Sequence, residues 1–249
     1  MAGFDALVRA RLKPAYPDAD TAFTLVHTTY FDSPTLLSFS DYINQRPVRF
    51  KVRIRQYAPN GVWQNPCVSF AEIKRSENGV SKKERFQLSS NGLRTLLQGD
   101  AVTLTPDEEA LNRSIGKERL AQRIELLNGL MSHHRLRPMV TVSYRRTAYE
   151  DGTMRVTVDT NLAWEALVAP PPTLAELMSQ EQSWVYVEKM EQDYRRISGS
   201  IVEVKHRECL PDWLIQYMED NQLVERSFSK YCWSQTQSLR RVLGEVARE

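Results

Sequence analysis

The chain is poor in the side chains that build most metal and redox sites. Of its 249 residues only four are histidines, and His27, His133, His134 and His206 lack the spacing of a zinc site. The three cysteines, Cys67, Cys209 and Cys232, are odd in number and form no CxxC pair, which points to reduced thiols in a cytoplasmic protein. Glycine is sparse and dispersed. No GxxxxGK, GxGxxG or GxSxG occurs, so P-loop, dinucleotide-binding and serine-hydrolase chemistries have no footing. No apolar run approaches the ~18 residues of a membrane span, and the N-terminus has no secretory signal. Any membrane attachment is therefore expected through a partner protein. Nor is there an excess of one charge: 33 basic residues face 31 acidic ones, a net of +2, which speaks against a nucleic-acid partner.

What is present is a globular composition, 41% hydrophobic and 26% charged, with ample apolar material for a core. No internal repeat, low-complexity tract or linker divides it, so residues 1–249 read as one domain. The informative feature is an alternation. Phe50-Lys51-Val52-Arg53-Ile54-Arg55, Phe70-Ala71-Glu72-Ile73-Lys74, Met154-Arg155-Val156-Thr157-Val158-Asp159 and Ile201-Val202-Glu203-Val204-Lys205 read as strands with a charged residue at almost every second position. Successive side chains of a strand point to opposite faces, so each has one apolar and one charged face. An antiparallel sheet can show such a face to bulk water. If the sheet instead curls into a barrel, the charged faces line a tunnel, and a tunnel rich in Arg and Lys requires a polyanion. Both arrangements are compatible with the alternation.

Lys51, Arg53, Arg55, Lys74, Lys83, Arg85, Arg146, Arg155, Lys205 and Lys230 would line that face, with Glu72, Asp159 and Glu203 as its acids. Setting these aside leaves 23 of the 33 basic and 28 of the 31 acidic residues, so the remainder is slightly acidic. Arg53 and Arg55 offer two guanidinium forks one strand-step apart, each able to clamp a phosphate through paired hydrogen bonds. The acids would serve as metal ligands, because Mg²⁺ or Mn²⁺ takes one or two carboxylates together with waters and phosphate oxygens. Glu203 is the preferred ligand and Glu72 the second. The five tryptophans are scattered and read as packing residues.

Around these strands the pattern predicts a helix from Phe4 to about Lys13, stopped by Pro14, and a strand over 22–31 ending in an Asp32-Ser33-Pro34 turn. Strands at about 48–57, 67–75 and 80–88 follow, the last two joined at Asn78-Gly79. Asn91 is placed to cap a short helix, and Thr105-Pro106-Asp107-Glu108 starts another whose spacing runs on past Gly116 to Leu127. A hairpin over 139–160, a Pro170-Pro171-Pro172 loop, a brief helix capped by Thr173 and Glu176, a strand at 184–189, a helix from Pro211 to about Asn221 and a tail helix over 229–246 complete the expectation.

In that order the residues resemble a family, the VTC (vacuolar transporter chaperone) polyphosphate polymerase domain of the triphosphate tunnel metalloenzymes. Thr28-Thr29-Tyr30-Phe31-Asp32, Lys51 to Tyr57, Glu72-Ile73-Lys74, Lys83-Glu84-Arg85-Phe86, Tyr144 to Tyr149, Arg155 to Thr160, Val202 to Lys205, Leu210-Pro211-Asp212-Trp213 and Phe228-Ser229-Lys230-Tyr231 are similar to its segments. The resemblance covers about residues 21–235. It implies an α+β fold, an eight-stranded antiparallel β-tunnel flanked by helices. It also implies transfer of the terminal phosphate of ATP to inorganic polyphosphate, with Mn²⁺ or Mg²⁺. By that carry-over Arg53, Arg55, Lys74, Lys83, Arg146, Arg155 and Lys230 are catalytic. Lys51, Arg85, Tyr144, Lys205 and Ser229 bind substrate, and Glu203 and Glu72 hold the metal. The family also begins with a strand bearing a basic residue ahead of the first helix, whereas this chain starts inside that helix at Met1-Ala2-Gly3-Phe4; the expectation is either a start placed too late or a tunnel short of its first strand. Tunnel hydrolysis of tripolyphosphate and polyphosphate binding without catalysis are the alternatives.

Overall fold

A computed structural model describes residues 2–16, 23–59, 61, 68–167 and 200–246. In chain order the elements are α1 (Ala2–Arg9), β1 (Lys13–Pro14), β2 (Thr24–Asp32), α2 (Leu37–Ile43), β3 (Val48–Pro59), β4 (Val68–Glu77) and β5 (Val80–Leu88). Then come α3 (Ser90–Leu97), α4 (Pro106–Leu111), α5 (Lys117–His134), β6 (Arg137–Glu150), β7 (Met154–Ala166), β8 (Ile201–His206), α6 (Asp212–Asp220) and α7 (Lys230–Val246). The strands form one antiparallel sheet in the order β5-β4-β3-β2-β6-β7-β8, with the short β1 paired to β6. The sheet curls into a half-barrel, so that α7 on its inner side reaches both β3, through Cys232 and Lys51, and β7, through Lys230 and Asp159.

The period-two alternation explains this layering. The outer residues of β3, β4 and β5 (Val52, Ile54, Ala71, Ile73, Phe86) pack under α3 and α5 with Leu96, Leu120, Ile124 and Leu127. The outer residues of β6 and β7 (Tyr149, Val156, Val158) pack under α1 and α6 with Phe4, Val8 and Leu214. A third cluster lies on the inner face, where Tyr231, Cys232, Trp233 and Leu239 of α7 join Val26, Tyr30, Val140, Val142 and Tyr144 of the sheet and Phe39 of α2. Helix α7 thus fills one part of the concave side, and the charged rows face the rest of it. Of the flat-surface and barrel alternatives, the sheet takes the curled one: its charged rows lie on the concave side of a half-barrel.

Registers within the sheet follow from the turns. Asn78 and Gly79 both have positive φ, 49° and 84°, in a two-residue loop that suits the twist of β4 and β5. That loop places Glu72 opposite Arg85 and Lys74 opposite Lys83. Between β6 and β7 the register shifts across Tyr144, with Asn161 left-handed at φ 54°. Such a bulge re-aims a side chain.

The expected elements differ from the structure in a few places. Helix α1 ends at Arg9, and Lys13–Pro14 pair with β6, because proline disfavours helix at the residue before it. Helix α3 starts earlier than Asn91 allows, with Ser89 accepting from the Gly92 N–H. The helical spacing from Thr105 to Leu127 is broken into α4 and α5 by Gly116 at φ 84°. Helix α2 was not foreseen; it follows the Asp32-Ser33-Pro34 turn. The proline run at 170–172, the helix capped by Thr173 and Glu176 and the strand at 184–189 lie outside the described residues.

Candidate functional site: a basic trough built on two carboxylates

The inner face is organised around two buried carboxylates, each 1% exposed. Glu72, on β4, receives Arg53 from β3, whose Nε and Nη2 lie 2.7 and 2.6 Å from Oε2. Arg55 Nη1 lies 3.8 Å from the same Oε2, while Lys83 and Arg85 of β5 lie 2.7 and 3.9 Å from Oε1. One negative charge therefore faces four positive ones. Burial would raise the Glu72 carboxyl, but Arg53, Arg55 and Lys83 outweigh it and hold it down to about 2. Burial lowers the Lys83 ammonium, and the two arginines add to that while Glu72 opposes it. Arg85 is braced over the Phe70 ring, 3.6 Å from its centroid.

Asp159, on β7, is held bidentately by Arg146 of β6 at 2.6 and 2.7 Å, and by Lys230 of α7 at 2.6 Å. Its carboxyl also sits below the usual range, because the contacts with Arg146 and Lys230 exceed the opposing effect of burial. Lys230 lies over the rings of Tyr144 and Phe228. Between the two clusters Lys51 donates to Ser229 Oγ at 2.8 Å and sits 4.0 Å above the Tyr42 ring. Burial lowers the Lys51 ammonium, and Lys74 and Arg49 reinforce the shift.

Helix α7 is located by Asp32. Its carboxylate accepts from the backbone N–H groups of Ser33, Ser38 and Phe39 at 2.7, 2.8 and 3.0 Å, which satisfies the start of α2. The Tyr231 hydroxyl donates to the same carboxylate. One buried acid thus ties β2, α2 and α7 together and sets Lys230 at Asp159.

Several inner-face polar atoms are buried without a hydrogen-bond partner among the described residues: Thr28 Oγ1, Arg55 Nε, Tyr144 Oη and Thr157 Oγ1. Buried polar groups are nearly always satisfied, so this set is shaped for a polar occupant. The surplus of guanidinium and ammonium groups around these atoms makes the electrostatic field of the trough positive.

Glu203 of β8 lies beside the second cluster: burial would raise its carboxyl, but Lys205, Arg146 and Lys230 outweigh that and hold it below the usual range. It is opposite Thr157 in register, 47% exposed at its side chain, and 3.4 Å from Lys205. Among the described residues no group of three or more His, Cys, Asp or Glu side chains could hold a metal by itself. A single accessible carboxylate fits a hard cation that draws its other ligands from water and phosphate oxygens.

The residues singled out in the sequence fall into three places. Arg53, Arg55, Lys83, Arg85 and Glu72 form the first cluster. Lys51, Tyr144, Arg146, Ser229 and Lys230 gather with Asp159 around the start of α7. Lys74, Arg155 and Lys205 lie towards the rims: Lys74 is exposed opposite Lys51 and Lys83, Arg155 bonds Tyr16 and Glu150 at 2.8 and 3.3 Å, and Lys205 is 73% exposed. Asp159 was legible as an acid of the lining but not as the anchor of a cluster. Thr28 and Thr157 carried the alternation signal without a charge to mark them, and Tyr42 sits on the unforeseen helix.

Comparison with known proteins gives a match to one family model, described as VTC domain, over residues 6–238. No curated protein matches the chain. Similar solved structures include a protein provisionally named an adenylate cyclase from Bacillus halodurans, at 12% identity and TM-score 0.39, covering 87% of this chain and 90% of that one. The PH1819 protein of Pyrococcus horikoshii OT3 has 14% identity and TM-score 0.36, covering 88% and 94%. Another provisionally named adenylate cyclase, from Vibrio parahaemolyticus, has 10% identity and TM-score 0.35, covering 77% and 80%. No helix among the described residues is long and apolar enough to cross a membrane.

Proposed function

The chain belongs to the VTC domain family, a polyphosphate-related group of tunnel proteins, and from that premise we propose that it elongates inorganic polyphosphate with the terminal phosphoryl group of ATP. The observation that carries this reading is the state of the carboxylates. Glu72 and Asp159 are both ion-paired and held below the usual carboxylate range, so neither is suited to take a proton. A polyphosphate end needs no such help, because its terminal oxygen is already ionised. In the transfer that oxygen bonds to the γ-phosphorus, the bond from the γ-phosphorus to its bridging oxygen breaks, and ADP leaves with the electron pair. The obstacle is repulsion between two polyanions. Arg53, Arg55, Lys83, Arg146 and Lys230 neutralise and align them, and catalysis is almost wholly positioning and electrostatics. Glu72 acts as the internal counter-ion that spaces the guanidinium groups. Mn²⁺ or Mg²⁺, held by Glu203 and phosphate oxygens, would neutralise charge on the transferring group.

The test is to incubate the protein with ATP and Mn²⁺, stain a gel for polyphosphate and assay free phosphate in parallel. Long chains are the expected result. Free phosphate without chains would make the protein a triphosphate hydrolase, and binding without turnover a polyphosphate-binding protein. Glu203→Gln should raise the metal concentration needed for half-maximal turnover by about tenfold or more while leaving metal-free polyphosphate binding in place. An unchanged metal requirement would remove Glu203 as the ligand.

A further inference from the structure

The β4–β5 hairpin opposes like charges on both of its faces. Lys74 faces Lys83 on the inner side, and one residue on, Arg75 faces Lys82 on the outer side. Directly opposed like charges destabilise a strand pair. The inner pair borders the trough. Of the outer pair, Arg75 borders a cleft of about 420 Å³ between the hairpin and α5, lined also by Glu84, Arg119, Gln122, Arg123 and Leu126. That volume falls in the range of ligand sites, ~300–1,000 Å³. Three of its six lining residues are arginines and only Leu126 is apolar.

The single acid of the cleft is already engaged, with Glu84 Oε2 lying 3.0 Å from Arg123 Nε. Arg123 also donates to the Arg85 carbonyl at 2.6 Å, which fixes its guanidinium against β5 at the wall of the cleft. Arg75 and Arg119 make no side-chain ion pair among the described residues. The exposed guanidinium groups of Arg75 and Arg119, unpaired with any acid among the described residues, are planar forks that match the tetrahedral oxygens of a phosphate. We propose that this outer cleft is a second oxyanion site, on the opposite face of the sheet from the trough, which takes inorganic phosphate or the end of an oligophosphate. The proposal stands on the cleft alone and holds whether or not the trough catalyses transfer.

Calorimetric titration of the full chain with tripolyphosphate tests it. The wild type should show two classes of site. Arg75→Ala with Arg119→Ala should lose one class, and Arg53→Ala with Lys230→Ala should lose only the other. The two outer arginines are exposed, so their removal should leave the thermal transition unchanged, which circular dichroism checks. If the outer double variant binds with wild-type stoichiometry and affinity, the cleft is not an oxyanion site. If the outer variant loses a class while the inner variant binds as the wild type does, the cleft stands and the reading of the trough falls.

Discussion

The two halves of the trough hold like-charged groups together with different materials. Around Glu72 every cation comes from a neighbouring strand: Arg53 and Arg55 from β3, Lys83 and Arg85 from β5. Around Asp159 one cation, Arg146, comes from the adjacent strand β6, and the other, Lys230, from the first residue of α7. The first cluster is complete once β3, β4 and β5 pair in register. The second is complete only when α7 has docked, through Tyr231 on Asp32 and the apolar side of the helix on β6. A local meander thus builds one wall of the site, and a contact across nearly the whole chain builds the other.

The sharpest way to break the contrast is to neutralise each acid. Glu72→Gln leaves four cations without their carboxylate and should destabilise the fold by about 3–5 kcal/mol in urea denaturation, the usual result of breaking a buried ion pair. Asp159→Asn leaves two cations and should do less; equal losses would mean that the two walls depend equally on their acids. Arg53→Ala and Lys230→Ala should each abolish phosphate binding in the trough and reduce turnover by about 10²–10³-fold. They differ in stability, because α7 without Lys230 keeps Tyr231, Trp233 and Leu239 in the core, whereas Arg53→Ala removes the closest partner of Glu72. A Lys230→Ala variant less stable than Arg53→Ala would show that α7 is held by charge and not by packing.

Acid sharpens the same comparison. Glu72 lies at about 2 in the fold against an ordinary 4.5, so its contribution is fully present above about pH 4.5 and is lost as pH falls towards 2. Between pH 5 and pH 3 the urea midpoint should fall less in Glu72→Gln than in the wild type. Equal falls would mean that other carboxylates dominate acid unfolding. The smallest effect belongs to Tyr42. Tyr42→Leu removes the ring beneath Lys51 but leaves its bond to Ser229, and should weaken tripolyphosphate binding by about 0.5–2 kcal/mol.

Much of the first wall could be read in advance. Lys51-Val52-Arg53-Ile54-Arg55 and Glu72-Ile73-Lys74 state their own faces, and Asn78-Gly79 states the turn that pairs β4 with β5. The second wall was legible only as a list of charges. Asp32 read as part of a turn, yet it caps α2 and accepts from Tyr231. Asp159 read as one more acid of a lining, yet two cations converge on it. The outer cleft carried no signal, because Arg75 belongs to a strand and Arg119 and Arg123 to a helix, with nothing in their spacing to bring them together.

The reason is the range of the interactions. Alternation with period two is a property of neighbouring residues, so the charged faces, the hairpin register and the cations available to Glu72 follow from short stretches of chain. Which face is concave depends on how the whole sheet curls and on where α7 comes to rest. That is decided by buried contacts between residues as distant as Asp32 and Tyr231, and by the apolar clusters on both faces of the sheet. The same charged rows on a flat sheet would face water. Gathered by curvature and by α7 onto one concave face, they concentrate positive charge there.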